Sequence, residues 1–188
     1  MDRLIASRLA DVLTIVDAPE VTREQLLRVH AGDYIDRIEA QIPAQGYASL
    51  DPDTIVSPGS LAAARHAAGA AVAAVDAVMT DETDNAFCCV RPPGHHAERG
   101  RAMGFCLYNN IAVGAAHALD AHGLSRVAII DFDVHHGNGT ENIFDDDERI
   151  LFCSTFQHPF YPFTPLLDNT RNRVSVPLDA TAGSAEFR

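Results

Sequence analysis

Residues 127–140 read VAIIDFDVHHGNGT, an apolar run that passes directly into aspartates, histidines and glycines. Its first part, residues 127–133, is short, continuously apolar and bounded by polar residues, which predicts a buried strand. In extended chain, Asp131, Asp133 and His135 project to one side, with about 7 Å between successive residues at roughly 3.3 Å rise per residue. A carboxylate and an imidazole at this spacing can converge on one divalent metal ion.

The donor types of this segment suit zinc, with iron or manganese left open. A single histidine after a strand is most simply explained as ordinary packing. Two aspartates and two histidines within six residues are different, because burying so many ionisable groups without a metal or ion pairs is costly. The glycines at 137 and 139 are expected to let the chain turn away sharply. The sequence therefore predicts a metal site at the end of this strand.

The rest of the chain predicts an α/β fold with a mostly parallel sheet. Thr22-x-x-Gln25 has the form of a capping box, and Ser57-Pro58 resembles a helix start after the loop at 43–59. Continuous apolar strands separated by helices indicate a three-layer α/β/α arrangement, with helices on both faces. The predicted helices span residues 1–18, 22–40, 61–79 and 109–121, and the predicted strands span 86–90, 127–133, 150–154 and 174–176.

Length and composition indicate one domain over residues 1–188. The formal net charge is −12 and no lysine is present, which argues against direct binding of nucleic acid or of an anionic membrane. We find no signal-peptide layout and expect no apolar run long enough to cross a bilayer. The four cysteines have no disulfide-framework spacing and are expected to be buried, reduced thiols of a cytoplasmic protein. They are Cys88, Cys89, Cys106 and Cys153.

A second histidine pair, His95-His96, follows a Pro-Pro-Gly turn after the strand predicted at 86–90. Adjacent residues seldom both reach one ion, so general acid–base catalysis is favoured over metal binding for this pair. The alternative is a surface loop that happens to contain histidines. The remaining histidines are expected only to pack or to face solvent; they are His30, His66, His117, His122 and His158.

Three segments resemble the histone deacetylase superfamily, which also includes acetylpolyamine amidohydrolases and acetoin-utilisation proteins. They are RPPGHHA at 91–97, GFCLYNNIAVGA at 104–115 and IIDFDVHHGNGT at 129–140, and they occur in the family's order. RPPGHHA and the asparagine in HHGNG resemble the class II and bacterial branch more than class I. The resemblance implies a deacetylase-like or arginase-like fold that removes an acetyl group from acetyl-lysine or from an acetylated polyamine.

The resemblance also implies roles for individual residues. Asp133 and His135 match two of the family's three protein ligands to zinc. His96 matches the general base and acid, with His95 as its partner. Asn138 matches the residue that orients His96.

Two further expectations rest on the same resemblance. Asp131 is expected to hold His95. The family's inner monovalent cation site, a possible potassium site, would use the side chains of Asp131, Asp133 and Ser154 with the carbonyl of His135.

Some residues of the chain also match the family's substrate tunnel. Gly104 and Phe105 match one tunnel wall, where the glycine carbonyl accepts the substrate amide proton and the phenyl ring packs on the aliphatic chain. The opposite wall is assigned to Phe163 or Tyr161, because QHPFYPFTP departs from the commoner glycine-rich version.

Two catalytic elements of the family are not found in the 188 residues. The third zinc ligand belongs to a segment resembling SAGFDAH and the catalytic tyrosine to one near Gly-Gly-Tyr, and neither pattern occurs. The sequence therefore predicts a partial catalytic domain with an exposed sheet edge and apolar face, open to oligomerisation or to a missing C-terminal portion. Activity of the chain alone is expected to be weak or absent.

Two alternatives remain from the sequence. The chain could be a non-catalytic fragment or a partner-binding pseudoenzyme. An arginase-type metallohydrolase would require DAHxD-like metal motifs, which DFDVHHGNGT does not match.

Overall fold

The computed structural model describes residues 2–188. This part of the chain contains seven helices, five strands and a 3₁₀ turn at Leu9–Asp11. The helices are α1 (Asp2–Ala6), α2 (Arg23–Leu27), α3 (Gly32–Gln41), α4 (Ser60–Met79), α5 (Asn110–Asp120), α6 (Asn138–Phe144) and α7 (Ser184–Phe187). The strands are β1 (Ala48–Ser49), β2 (Ile55–Val56), β3 (Val127–Asp131), β4 (Ile150–Gln157) and β5 (Arg173–Leu178).

The main sheet has the order β3-β4-β5, and both strand pairs are parallel. Helix α6 forms the crossover from β3 to β4, as parallel neighbours require. The register pairs Asp131 with Ser154, so the polar ends of β3 and β4 lie side by side. The α/β fold with a parallel sheet is confirmed. β1 and β2 form a separate antiparallel ribbon within the loop predicted at 43–59.

Helices α5 and α6 pack on one face of the sheet. Ile129, Ile150 and Phe152 point into this core, where they meet Ile143 and Phe144 of α6. Along each strand the side chains alternate, so the opposite face carries the next residues in turn. Within residues 2–188 that opposite face is open, as expected for an incomplete sheet; it includes Ala128, Ile130 and Leu151, with Ile130 61% exposed.

The predicted helix over residues 1–18 is wrong in extent. Within it, only α1 and the 3₁₀ turn at Leu9–Asp11 are helical, and Met1 lies outside the described residues. Val12 and Val16 are 79% and 75% exposed. A short helix with no buried face gains too little to offset nucleation, so the rest of the segment is irregular.

The single helix predicted over 22–40 is interrupted. Thr22 and Gln25 form the expected capping box at the start of α2. The chain then leaves helical geometry, and the extended Ala31 donates its N–H to the carbonyl of Arg99 over 2.9 Å. His30 is buried at this break. The break therefore joins this region to the loop that follows residue 90.

Helix α4 begins two residues later than the Ser57-Pro58 signal indicates, with Gly59 as its N-cap residue. It is also long and apolar enough to span a membrane by length and composition, contrary to the expectation from sequence. One side of α4 packs along α5, where Gly114 approaches Ala71 closely. Helix α5 matches its prediction, and Asn109 caps its start by accepting the N–H of Ala112.

The strand predicted at 86–90 is wrong. A strand needs a neighbour for its N–H and C=O groups, and no element described in residues 2–188 pairs with this segment. Phe87 is 85% exposed, and Cys88 and Cys89 are exposed rather than buried. All four cysteines are free thiols.

Candidate active site

The predicted site residues gather beyond the carboxyl ends of β3 and β4. The segment after β3 is joined to the loop before α5 by two amides at the start of α6: Gly139 and Thr140 both donate to the carbonyl of His95. On its other side, Gln157 donates to the carbonyl of Val134. These backbone bonds bring the two histidine pairs, about 40 residues apart in sequence, into one cluster.

His96 has a defined tautomer because of Asn138. The Nδ1 atom of His96 lies 2.8 Å from the side-chain oxygen of Asn138. The amide nitrogen of Asn138 donates to Glu98 over 2.9 Å and to the sulfur of Met103, which fixes the orientation of the amide. Because the amide oxygen can only accept, Nδ1 of His96 must carry a proton. Nε2 of the neutral ring is therefore free to accept a proton.

His95 is held by Asp131, as expected. Its Nδ1–H donates to the Asp131 carboxylate over 2.9 Å, and both side chains are largely buried. The two adjacent imidazoles have ring centroids 4.0 Å apart. His95 therefore packs against one side of the His96 ring, and Asp131 at the end of β3 holds His95 in place.

Asp133 and His135 converge on each other. The Nδ1 atom of His135 lies 3.0 Å from Oδ1 of Asp133, and the backbone N–H of His135 donates to the same oxygen over 2.8 Å. Tetrahedral zinc with bonds of 2.0–2.1 Å separates its ligands by about 3.3 Å. The pair therefore fits two corners of a zinc site, and a carboxylate with an imidazole is a donor set that zinc accepts. The ring of His96 lies beside this pair, 5.9 Å from that of His135.

Burial favours the uncharged form of His96. It lowers the pKa of His96 to about 4, and the charge of His95 acts in the same direction. At neutral pH the His96 ring is therefore uncharged, as a base requires. For Asp133, burial acts to raise the pKa, but hydrogen bonds from His135 and the charge of His95 outweigh it. Its carboxylate is therefore anionic, as a metal ligand requires.

Three glycines allow the close packing of this cluster. A Cβ on Gly104, whose φ is +56°, would lie 2.4 Å from the His96 ring. A Cβ on Gly137 would lie 2.2 Å from Asp131, and one on Gly139 would lie 2.3 Å from the carbonyl of Ala97. Positions 137 and 139 do not have positive φ, so the expected sharp turn is not what requires glycine there. The requirement is the close approach of neighbouring atoms.

The aromatic residues assigned to the substrate walls differ in placement. Phe105 and Phe163 have positive φ and are 64% and 74% exposed, so both stand at the rim. Tyr161 packs edge-on against His96, with ring centroids 5.1 Å apart, and is 5.8 Å from His135. The ring centroids of Phe163 and Tyr161 are 6.4 Å apart. Of the two residues left open from the sequence, Tyr161 is the one that contacts the histidines.

Ser154 lies beside Asp131 in the sheet, but its buried hydroxyl is 3.1 Å from Nδ1 of His136. The other nitrogen of His136 is 3.1 Å from Glu141. His136 is thus a buried bridge between β4 and α6. A monovalent cation bound by Asp131, Asp133, His135 and Ser154 remains a prediction.

Sequence comparison gives the family of the chain. A sequence model of the histone deacetylase domain matches residues 1–188. The chain belongs to the histone deacetylase family.

Relatives within this family include a histone deacetylase-like amidohydrolase from Pseudomonas aeruginosa, 45% identical over 159 residues. That match covers 85% of the chain and 42% of the relative. The human polyamine deacetylase HDAC10 is 38% identical over 172 residues, a match that covers 89% of the chain and 26% of the relative. The chain thus spans less than half the length of these relatives.

A solved structure, described as the HDA15 HD domain, superposes on this histone deacetylase family chain with a TM-score of 0.84 at 37% identity. The match covers 93% of the chain and 53% of the solved one. This likeness confirms the deacetylase-type fold expected from the sequence.

Several residues around the family site were not assigned from the sequence. Glu98 and Met103 hold the Asn138 amide, and Thr54 accepts the N–H of Phe105 over 3.1 Å. Glu98 directly follows the RPPGHHA motif, which is the one signal that could have identified it. Thr54 lies about 50 residues before its partner, and no local pattern connects them.

Proposed function

We propose that the chain carries part of the active site of a zinc-dependent deacetylase, which hydrolyses an acetylated amine to acetate and free amine. Residues 1–188 would form one partial catalytic domain. The observation that carries the proposal is the free Nε2 of His96 beside the Asp133–His135 pair. A base and two metal ligands in this arrangement suit hydrolysis of an amide.

His96 would perform the proton transfers. Its Nε2 would accept a proton from water as the water attacks the amide carbonyl, and the resulting imidazolium would return a proton to the departing amine. Asn138 keeps the ring in the required tautomer throughout, because its oxygen accepts only from Nδ1. Phe105 and Tyr161 would pack against the aliphatic part of the substrate near its reacting end.

Asp133 and His135 are the residues that would hold zinc. Bound zinc would supply Lewis-acid polarisation of the carbonyl and a nucleophile at neutral pH. Asp133 and His135 supply two protein ligands, whereas catalytic zinc sites use three. We therefore expect weak zinc binding here, and weak or no turnover, from the chain alone.

The substrate would be an acetyl-lysine or an acetylated polyamine. One relative is named a polyamine deacetylase and another an amidohydrolase, which supports an acetylated amine as the substrate class. The net charge of −12 also favours a cationic amine carrier over nucleic acid. The second candidate function, a non-catalytic partner-binding module, is favoured by the exposed apolar face around Ile130.

Two assays test the proposal. In the first, the zinc-loaded chain is given acetyl-lysine peptide and acetylspermidine; turnover equal to that of the Pseudomonas aeruginosa relative would overturn the expected inactivity. In the second, residues 1–188 replace the matching region of that relative in a chimaera. We expect zinc-dependent deacetylation that is abolished in the His96→Ala and Asp133→Asn chimaeras. A folded, zinc-loaded chimaera inactive on both substrates would overturn the deacetylase proposal and favour the binding module.

A further inference from the structure

A second cluster of potential metal ligands lies away from the candidate active site, where the carboxyl ends of α4 and α5 meet. Oδ1 of Asp76 is 2.7 Å from Nε2 of His117 and 2.7 Å from Nε2 of His122. Within residues 2–188, this is the one set of three such side chains whose ligand atoms all lie within 4.8 Å of one another. The sequence predicted only packing or solvent exposure for the two histidines.

We propose that Asp76, His117 and His122 form a divalent metal site, suited to zinc, that joins α4 to α5. Two imidazoles and one carboxylate form a common protein donor set for zinc, with water as the fourth ligand. Zinc bonds of 2.0–2.1 Å separate tetrahedral ligands by about 3.3 Å. The two Asp76–histidine distances therefore need to lengthen by only several tenths of an ångström, which rotation of the Asp76 side chain can provide, and the two imidazole nitrogens already lie within 4.8 Å of each other.

The surroundings of the cluster favour a cation. Asp76 lies in the last turn of α4 and His117 in the last turn of α5. The carboxyl ends of helices carry partial negative charge, so two of them meeting at one point favour positive charge there. The Asp76 side chain is 49% exposed, whereas those of His117 and His122 are 9% and 19% exposed. An ion can thus enter from solvent on the Asp76 side and meet two largely buried imidazoles.

The position of Arg28 opposes binding of a metal ion at this cluster. Its guanidinium donates to Nδ1 of His117 over 2.9 Å, which places the proton of the neutral ring on Nε2, the atom that must bind metal. Metal binding therefore requires the proton to move to Nδ1 and Arg28 to turn away. Carboxylates of Glu24 and Asp120 already lie 3.9 and 3.7 Å from the Arg28 side chain and can receive it. Arg28 thus sets the affinity of the site, and its removal is expected to tighten binding.

The test measures zinc stoichiometry and affinity of the 188-residue chain by equilibrium dialysis, with far-ultraviolet circular dichroism as the folding check. The parent chain, Asp76→Asn, Asp133→Asn and the double variant separate this site from the candidate catalytic site. We expect Asp133→Asn to retain one zinc that the double variant loses. His122→Gln is expected to lower the affinity for that zinc by about 10- to 100-fold or more. This is the loss found when a residue that only hydrogen-bonds to a metal ligand is replaced.

Two further variants complete the test. His66→Gln changes a half-exposed histidine of α4 outside the cluster and should leave binding unchanged. Arg28→Met should bind zinc more tightly than its parent. A folded Asp133→Asn chain without zinc, or zinc retained in the folded double variant, would overturn the site. Weaker zinc binding in Arg28→Met would overturn the role given to Arg28. Loss of zinc only from Asp133→Asn would leave the proposed function intact and remove this inference.

Discussion

The Nδ1–H of His96 donates to the side-chain oxygen of Asn138 over 2.8 Å, and this bond decides which nitrogen of the histidine is available for chemistry. Asn138 is itself oriented by Glu98, so the tautomer of His96 depends on a residue that would not touch the substrate. The bond also joins the first turn of α6 to the loop before α5. The proposed base is therefore positioned by tertiary contacts.

Replacing Asn138 by alanine should reduce catalysis without unfolding the protein. Without the amide oxygen, His96 can place its proton on either nitrogen, and the fraction of rings able to act as base falls. We expect kcat/KM of the chimaera to fall about 10- to 100-fold, as for other residues that orient a catalytic group. Asn142→Ala, on the same helix, serves as the control. An unchanged ¹⁵N tautomer signature of His96 in Asn138→Ala would contradict this account.

Gly104→Ala should destabilise the fold more than the same change at other glycines with positive φ. Gly104, Gly46 and Gly123 have φ of +56°, +70° and +68°, but only Gly104 has atoms within 4 Å of the added methyl group. We expect a loss of about 1 kcal/mol at positions 46 and 123, and about 2–4 kcal/mol at 104. Urea denaturation of the three variants measures this, and equal losses would show that contact with His96 is unimportant.

Acid should destabilise the protein through His30. The buried ring donates from Nδ1 to the carbonyl of Glu98 and accepts from the N–H of Asn109. Burial lowers its pKa from 6.5 to about 4. The unfolded chain therefore binds the extra proton first, and stability falls as the pH drops from 6.5 towards 4. The loss should approach roughly 3 kcal/mol.

His96 has a pKa lowered to the same region and should add to this acid sensitivity. Urea denaturation at pH 7 and at pH 5 measures the combined effect. Histidine NMR titration then separates the two rings. Equal stability at the two pH values would contradict the prediction, as would a His30 that titrates near 6.5 in the folded protein.

Two buried tyrosines should respond oppositely to loss of the hydroxyl group. Tyr34 donates to the carbonyl of Leu107, so Tyr34→Phe leaves that carbonyl unpaired and should cost about 1–3 kcal/mol. The hydroxyl of Tyr108 is buried with no hydrogen-bond partner among residues 2–188. Tyr108→Phe should therefore be neutral or stabilising. Thermal unfolding of both variants provides the measurement, and a large loss for Tyr108→Phe would indicate a partner for its hydroxyl.

Local sequence patterns predicted the elements whose stability depends on local signals and on burial by near neighbours. Helix α5 lies within its predicted range, Thr22 and Gln25 cap α2 as predicted, and β3 joins β4 in the parallel sheet expected from their continuous apolar runs. The segment at 86–90 carries the same apolar signal but does not form a strand. The difference is that a strand requires a partner, and an apolar run cannot specify one.

For the candidate site, the sequence alone determined which donors are present and that Asp133 and His135 lie two residues apart. Both residues lie in a bend after β3, where the N–H of His135 donates to Asp133, so a local contact is enough to bring them together. Tertiary structure decided the rest. It set the tautomer of His96, placed Tyr161 rather than Phe163 against the histidines, and brought Asp76 to His117 and His122. These relationships join residues 26 or more positions apart, and packing of separate elements, rather than any local pattern, fixes such distances.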